Sequence, residues 1–557
     1  MSVPHFCRKS ILVLSAFMFI LQLKGITQEQ PRPNIIYIVS DDQGYGDFSW
    51  TGNPYLKTPN LDKLKSESVT LERFYTAPLC APSRAAIMTG RYQYRTGIWD
   101  TFRGRSNMAS DEKTTGEYLK EIGYTTGLFG KWHLGVNYPF RPDEQGFDST
   151  YVEAGDDRFH PIFFKNGQIT QPINRFLDDA VTDKAIEFIS NNRKRPFFAS
   201  INLYMPHSHY NKQIGEEYVE LFRNFPDLTT KQREVYAMLA NLDMNVGRIV
   251  KALAKAGLEK NTLIIFHSDN GAQGERFNAG LKGQKGSAYE GGIRVPCFVK
   301  WKGKLKPFSR SEPFAVQDIL PTICEITGIN NIQKTFDGKS FWPALVNPNL
   351  QLAERYLFQQ QQPQQSGYDP QLFVNSCLVG NRYKLVYMNG EDQPELYDLI
   401  EDKGEQINLA YKLPEVLMSF KAKYKEIFQD ISTDRGFGPL ETIVGNKKGG
   451  STVIGFGHFH PENGFPVFVE RPGNYLIRFT GILTDLFPNG GALGFKFGKE
   501  IYKTSLVNGS AAVELKVDLP KGSSVIFPYN EGILPKRAVY GGPELGFRYM
   551  IIETIPD

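Results

Sequence analysis

The chain has 557 residues, 41% hydrophobic and 22% charged, with a formal net charge of only +4. That length exceeds one ordinary domain and suits a large catalytic domain with an added module. The composition is globular, and so small a charge gives no electrostatic footprint for a nucleic-acid partner.

At the N-terminus, Arg8 and Lys9 precede the apolar run Ile11 to Leu21. The run is too short for a comfortable membrane span and reads as a secretory signal, cleaved between Gly25 and Gln30. Residues 1–27 are therefore assigned as a signal peptide, which implies an exported protein, periplasmic or extracellular. Cys7 precedes the apolar run, so it does not look like a lipoprotein cysteine. Cys80, Cys297, Cys324 and Cys377 remain, too few in so long a chain for a disulfide framework. No second apolar stretch is long enough to give a stable membrane span.

Asn34 to Ser40 is a continuous apolar, β-branched run, as in a strand buried on both faces, and it ends in Asp41 and Asp42. Ligands of open α/β sheets bind beyond the carboxyl ends of strands. Two adjacent acids there invite a cation, with a solvated acidic turn as the alternative. Thr58 to Leu64 starts like a capped helix, and Ser68 to Tyr75 leads to Cys80-Ala81-Pro82-Ser83-Arg84. Pro82 fits the first turn of a helix that runs to Gly90, which places Cys80 at a helix N-terminus that favours negative charge. Arg84 falls about one turn on, on the same side. These five residues leave a buried structural cysteine open as the alternative.

Asp111 to Ile122 reads as an amphipathic helix closed by Gly123, and Tyr124 to Phe129 as a strand before Gly130-Lys131-Trp132-His133-Leu134-Gly135. In an extended segment Lys131 and His133 face one side. Asp156, Asp157, Arg158 and His160 form a polar cluster for which a solvated loop is favoured over a pocket wall. A helix over Asp178 to Asn192 precedes a strand from Pro196 to Leu203, which delivers Met205-Pro206-His207-Ser208-His209. A long helix, Lys231 to Ala256, precedes a strand from Thr262 to His267 that ends in Ser268-Asp269-Asn270-Gly271. Asp41, Asp42, Asp269 and Asn270 offer hard oxygen ligands, which suit Ca²⁺ or Mg²⁺ and not zinc. The glycine-rich stretch Leu281 to Pro296 contains Lys282 and Lys285, and its glycines let the backbone approach a ligand. Gln359 to Gln365 reads as a short polar loop.

Cys80-Ala81-Pro82-Ser83-Arg84 resembles the signature of the type I sulfatases, in the alkaline phosphatase superfamily, and Gly130 to Gly135 matches that family's second signature. Pro206 and His207 match a third segment, with His209 where proline is usual. Asp318 to Thr322 and Glu395 to Leu399 match further sulfatase segments, so the resemblance covers roughly residues 33 to 430. It implies that Cys80 is oxidised to Cα-formylglycine by a formylglycine-generating maturation enzyme. The hydrated aldehyde attacks sulfur with one oxygen and expels sulfate with the other. It implies a divalent ion, usually calcium, on Asp41, Asp42, Asp269, Asn270 and the Cys80-derived oxygen. Arg84, Lys131 and Lys285 then stabilise the sulfuryl group. His133 assists the nucleophile and the elimination, and His207, with Lys285, protonates the leaving oxygen. Lys282 aligns with a position often arginine and reads as structural or peripheral.

The fold expected is α/β. A mostly parallel central sheet flanked by helices (alkaline-phosphatase-like) occupies residues 31–345. A smaller C-terminal α+β subdomain follows over 346–440. Beyond a linker-like stretch, Lys447 to Ser451, short strands and turn signals from about Pro466 read as a β-sandwich-like module over 450–557. The function expected is a secreted sulfatase that strips sulfate from a sulfated carbohydrate. A phosphonate or phosphodiester hydrolase of the same superfamily and a non-catalytic glycan-binding protein are the alternatives.

Overall fold

The structure is a computed structural model. It describes residues 32–555 apart from 102–104, 155–156, 208–213, 363–368, 439, 456–463, 483–486, 488–489, 507–509, 511, 532–546 and 548. The signal segment, Asp156, Ser208, His209 and part of the glutamine run therefore lie outside the described residues.

Among the described residues the central sheet has ten strands, ordered β10-β2-β9-β8-β1-β7-β3-β4-β5-β6. They are β1 (Asn34–Asp41), β2 (Val69–Tyr75), β3 (Thr125–Gly130), β4 (Ser149–Glu153), β5 (Phe163–Lys165), β6 (Gln168–Ile169), β7 (Phe197–Pro206), β8 (Thr262–Ser268), β9 (Arg294–Trp301) and β10 (Phe308–Ala315). β1 pairs in parallel with β7 and β8, and β3 in parallel with β7 and β4. β9 runs antiparallel between β2 and β8, so the sheet is mixed but mostly parallel around its centre.

Every residue of β1 is buried, because both faces are covered. Successive side chains alternate faces. Ile35, Tyr37 and Val39 enter one core with the helix Cys80–Thr89, and Ile36 and Ile38 enter the other with the helices Leu177–Asn191 and Thr230–Lys255. An unbroken apolar run is what a two-sided strand requires.

The helix expected over Asp111 to Ile122 is shorter, Thr115–Glu121. Thr114 and Glu117 form a capping box, which fixes the start after Asp111–Lys113. The glutamine run is not a simple polar loop. Gln359 and Gln360 belong to β11 (Leu357–Gln360) and are buried, and Gln360 donates to the carbonyls of Gln371 and Val374. β11 pairs with β12 (Val374–Val379), then β13 (Tyr383–Asn389) and β14 (Pro394–Asp398), in an antiparallel sheet backed by the helix Pro414–Thr433. Beyond it, a five-stranded and a four-stranded sheet share a core that includes Phe465, Val467, Tyr475, Ile477, Phe479, Phe495 and Ile552. The strand Thr442–Val444 already belongs to the larger of these sheets. Lys447 to Ser451 is a turn between that strand and Thr452–Gly455, with Gly449 N–H donating to Asn446 O. Among the described residues no helix is long and apolar enough to cross a membrane.

Candidate active site

β1 and β8 are parallel neighbours with Ser40 opposite Ser268, so the residues after each strand emerge together. Asp42 has φ 65°, a left-handed conformation that Asp tolerates better than most residues. Asp42 N–H donates to Asp269 Oδ1 (3.2 Å), Gln43 N–H to Ser268 Oγ (3.0 Å) and Asp269 N–H to Ser40 O (3.1 Å). Asn270 Nδ2 donates to Asp42 Oδ1 (2.8 Å). Among the described residues Asp41 Oδ1 and Asn270 Oδ1 are buried with no hydrogen-bond partner. Asp41, Asp269 and Cys80 each bring a ligand atom within 4.8 Å of the other two, and so do Asp41, Asp42 and His207.

Cys80 is the first residue of its helix, and among the described residues no side chain caps that N-terminus. Arg84, one turn on, donates from Nε (3.0 Å) and Nη2 (2.7 Å) to Asp269 Oδ2 and from Nη1 to the Lys131 carbonyl (3.2 Å). Lys131 Nζ lies 2.5 Å from Asp41 Oδ2, and Lys285 Nζ lies 2.6 and 2.8 Å from the two Asp42 oxygens. Each buried carboxylate thus has its own cation. His207 Nε2 stands 4.0 Å from Asp42 Oδ2. His133, at φ 60°, shares Nε2 with the Thr101 carbonyl at 3.1 Å, while its Nδ1 is buried with no partner among the described residues. A carbonyl only accepts, so Nε2 carries the proton and Nδ1 the lone pair. The ten residues singled out from sequence converge on this one corner.

Burial would raise the carboxyls of Asp41 and Asp42, but the cations beside them, Lys131 and Lys285 foremost, hold both below the usual carboxylate range. Burial, with the charge of Asp41, pushes Asp269 up. Three crowded carboxylates, with an orphaned oxygen on Asp41 and another on the Asn270 amide, are a condition that a hard divalent cation relieves, so the donor set fits one. Burial, then Lys131, lowers His133 to about 3 and keeps its imidazole neutral.

Several residues reach this site indirectly. Asp178, fully buried, accepts from the N–H groups of Tyr204 (2.9 Å) and Met205 (3.0 Å) and fixes the strand end before His207. Arg158 donates to the His207 carbonyl at 2.9 Å, so this part of the polar cluster is not simply solvated. Asp157 instead caps the Phe159 and His160 N–H groups in an exposed turn. Asn375 brackets Ser287, donating to Gly286 O (2.6 Å) and accepting from Ala288 N–H (3.0 Å). Lys282 lies apart, 3.1 Å from Glu395 and 3.9 Å from the centre of the Tyr289 ring.

A family model described as Sulfatase matches residues 33–329, more than half of the chain. The chain belongs to the sulfatase family. This sulfatase is 29% identical over 485 residues to arylsulfatase A of Homo sapiens, covering 76% of this chain and 92% of that one. It is 31% identical to N-acetylgalactosamine-6-sulfatase of Canis lupus familiaris, over 62% of this chain and 71% of that one. The crystal structure of Ps i-CgsB, also solved in complex with k-i-k-neocarrahexaose, is 27% identical with a TM-score of 0.64, covering 73% of this chain and 95% of that chain. The family is that of the type I sulfatases in the alkaline phosphatase superfamily, and its reaction is hydrolysis of sulfuric esters.

Proposed function

We propose that this sulfatase is an exported enzyme that hydrolyses sulfate esters on a carbohydrate, with Cys80 in its Cα-formylglycine form and a divalent cation, calcium first, at Asp41, Asp42, Asp269 and Asn270. The observation that carries the reading is the convergence of Cys80 with these oxygens and with Arg84, Lys131, His133, His207 and Lys285. When present, the hydrated aldehyde supplies a paired-hydroxyl nucleophile and the cation a Lewis acid. The chain's own residues supply the rest. Arg84, Lys131 and Lys285 are fixed positive charges where charge develops on the sulfuryl oxygens. Thr101 holds His133 with Nδ1 unprotonated, so that atom accepts a proton from a hydroxyl at position 80. His207 and Lys285 flank Asp42 and stand together as proton donors for the leaving oxygen.

A carbohydrate substrate is supported by the structural relative solved with a neocarrahexaose and by the N-acetylgalactosamine-6-sulfatase relative. Export is supported by the basic and then apolar N-terminal run, and conversion of Cys80 places a formylglycine-generating maturation enzyme among the partners. The test is free sulfate released, with calcium, from sulfated galactan oligosaccharides, N-acetylgalactosamine 6-sulfate and an aryl sulfate, against aryl phosphate. Release from a sulfated sugar supports the reading. Preference for the phosphate ester overturns it.

A further inference from the structure

The C-terminal module has no role in the chemistry above. We infer that it anchors the loop that carries Lys131 and His133, and that Asn137 is the positioning residue through which it acts. The inference rests on reading His133 as part of the active site.

The catalytic domain holds the inner side of this loop. Trp132 and Leu134 are buried in the core, Trp132 Nε1 donates to Phe140 O (2.9 Å), and Met108 N–H donates to Leu134 O (2.9 Å). The outer side is held by the module. Asn137 is only 5% exposed. Its Nδ2 donates to Val453 O (2.8 Å), and Val453 N–H donates to its Oδ1 (2.7 Å), across 316 residues of sequence.

Val453 lies on Thr452–Gly455, the edge strand of the four-stranded sheet, opposite Ile551 of the strand Tyr549–Thr554. Alternate residues of such a strand turn both main-chain groups away from the neighbour. An outward pair of this kind is a bare sheet edge unless something covers it. A carboxamide offers one N–H donor and one C=O acceptor, like a peptide group, so Asn137 completes the edge as one residue of a further strand would.

Two further contacts lie beside this pair. Lys448 forms an ion pair with Glu144, and its Nζ stands 5.6 Å from the centre of the Tyr138 ring. Pro139 and Phe140 share a cavity of about 290 Å³ with Leu440, Ile443 and Phe468. The loop is therefore clasped from both sides. His133 has φ 60°, a conformation that persists only where surrounding structure enforces it. Loosening the outer clasp frees residues 135–140 and lets His133 leave the geometry in which Nε2 is held on the Thr101 carbonyl and Nδ1 is buried.

The test uses the full-length mature enzyme and two variants that break one contact from opposite sides. Asn137→Ala removes the carboxamide. Val453→Pro removes the outward N–H, a change that an edge strand tolerates. Lys503→Ala, on the strand Glu500–Leu506 at the opposite edge of the five-stranded sheet from Thr442–Val444, is the control. Kinetics use an aryl sulfate, which is too small to need a glycan-holding surface, and deuterium exchange follows residues 131–140. We expect kcat to fall about three- to tenfold in both variants, the order of one net hydrogen bond. KM should stay within about twofold, deuterium uptake in the loop should rise, and the control should match wild type. Wild-type kcat in both variants, with loss confined to polymeric substrates, would overturn the inference and make the module a glycan-holding surface. Unchanged uptake in the loop would overturn it as well. If the wild-type enzyme leaves every sulfate ester intact, the proposed function fails, and loop uptake alone decides whether the anchor exists.

Discussion

Asn375 offers the sharpest test of how Lys285 is held. It sits in β12 at φ 38° and is 8% exposed. Its carboxamide bonds to the main chain on both sides of Ser287, just after Lys285. The same loop is tied to the site by Lys285 N–H to Ala272 O and Gly286 N–H to Pro78 O, both 2.8 Å. Asn375→Ala removes two hydrogen bonds, about 0.5–1.5 kcal/mol each. It also puts alanine in a left-handed conformation, a further cost of about 1 kcal/mol. The sum is a destabilisation of about 2–4 kcal/mol. Asn375→Gly loses the same bonds without the conformational cost and should lose about 1 kcal/mol less. Urea unfolding measures both, and aryl-sulfate turnover should show kcat/KM down about tenfold as Lys285 loses its place. If Asn375→Ala unfolds within about 0.5 kcal/mol of wild type and keeps its kcat/KM, the second sheet does not hold this loop.

Three further outcomes follow from the geometry. Lys384 is fully buried, 3.0 Å from Glu290 and 2.9 Å from Glu405, so Lys384→Met should cost about 3–5 kcal/mol by stranding buried carboxylates. Burial already pushes Glu405 up to about 7, against the opposing pull of Lys384. A carboxyl raised in the folded state binds extra protons there, so its contribution is complete below the unfolded value and is lost as pH rises through about 7; in Lys384→Met that loss should move to higher pH in pH-dependent melts. Gly130 has φ 98°, and a Cβ there would lie 1.9 Å from Asn202 O, so Gly130→Ala must push β3 from β7 and should cost roughly 2–6 kcal/mol by denaturant titration. Calcium at about 100 times its Kd should stabilise the wild-type enzyme by about 2.7 kcal/mol in thermal melts, and Asp41→Asn should erase most of that increment. An equal calcium response in Asp41→Asn would place the ion elsewhere.

Much of the fold was legible because its central strands are all-apolar runs. Asn34–Asp41 and Thr262–Ser268 are buried throughout, and the acids at or just after their ends, Asp41, Asp42 and Asp269, declare the cation corner. β9 was not legible. Arg294, Pro296 and Lys300 interrupt its apolar pattern, yet all three positions are buried, and its antiparallel run depends on partners distant in sequence. The start of the helix at Thr115 was misplaced because the Thr114–Glu117 box, not the apolar pattern, decides it. The residues that hold the site were harder to see than those that form it. Asp178, Arg158, Asn375 and Asn137 act through main-chain hydrogen bonds to residues 26, 49, 89 and 316 positions away. A carboxylate or amide that serves a distant backbone has no local signature, whereas Cys80-Ala81-Pro82-Ser83-Arg84 carries its chemistry in consecutive residues.

The most direct test of the central claim is to titrate turnover against the chemical state of position 80. Preparations made with graded amounts of a formylglycine-generating enzyme would be assayed for sulfate release from a sulfated sugar and an aryl sulfate. The peptide that spans Cys80 would be weighed by mass spectrometry in each. Activity should rise in proportion to the converted fraction, reach zero in Cys80→Ala, and exceed aryl-phosphate turnover throughout. Full sulfate release from a preparation whose Cys80 is entirely thiol would contradict the account.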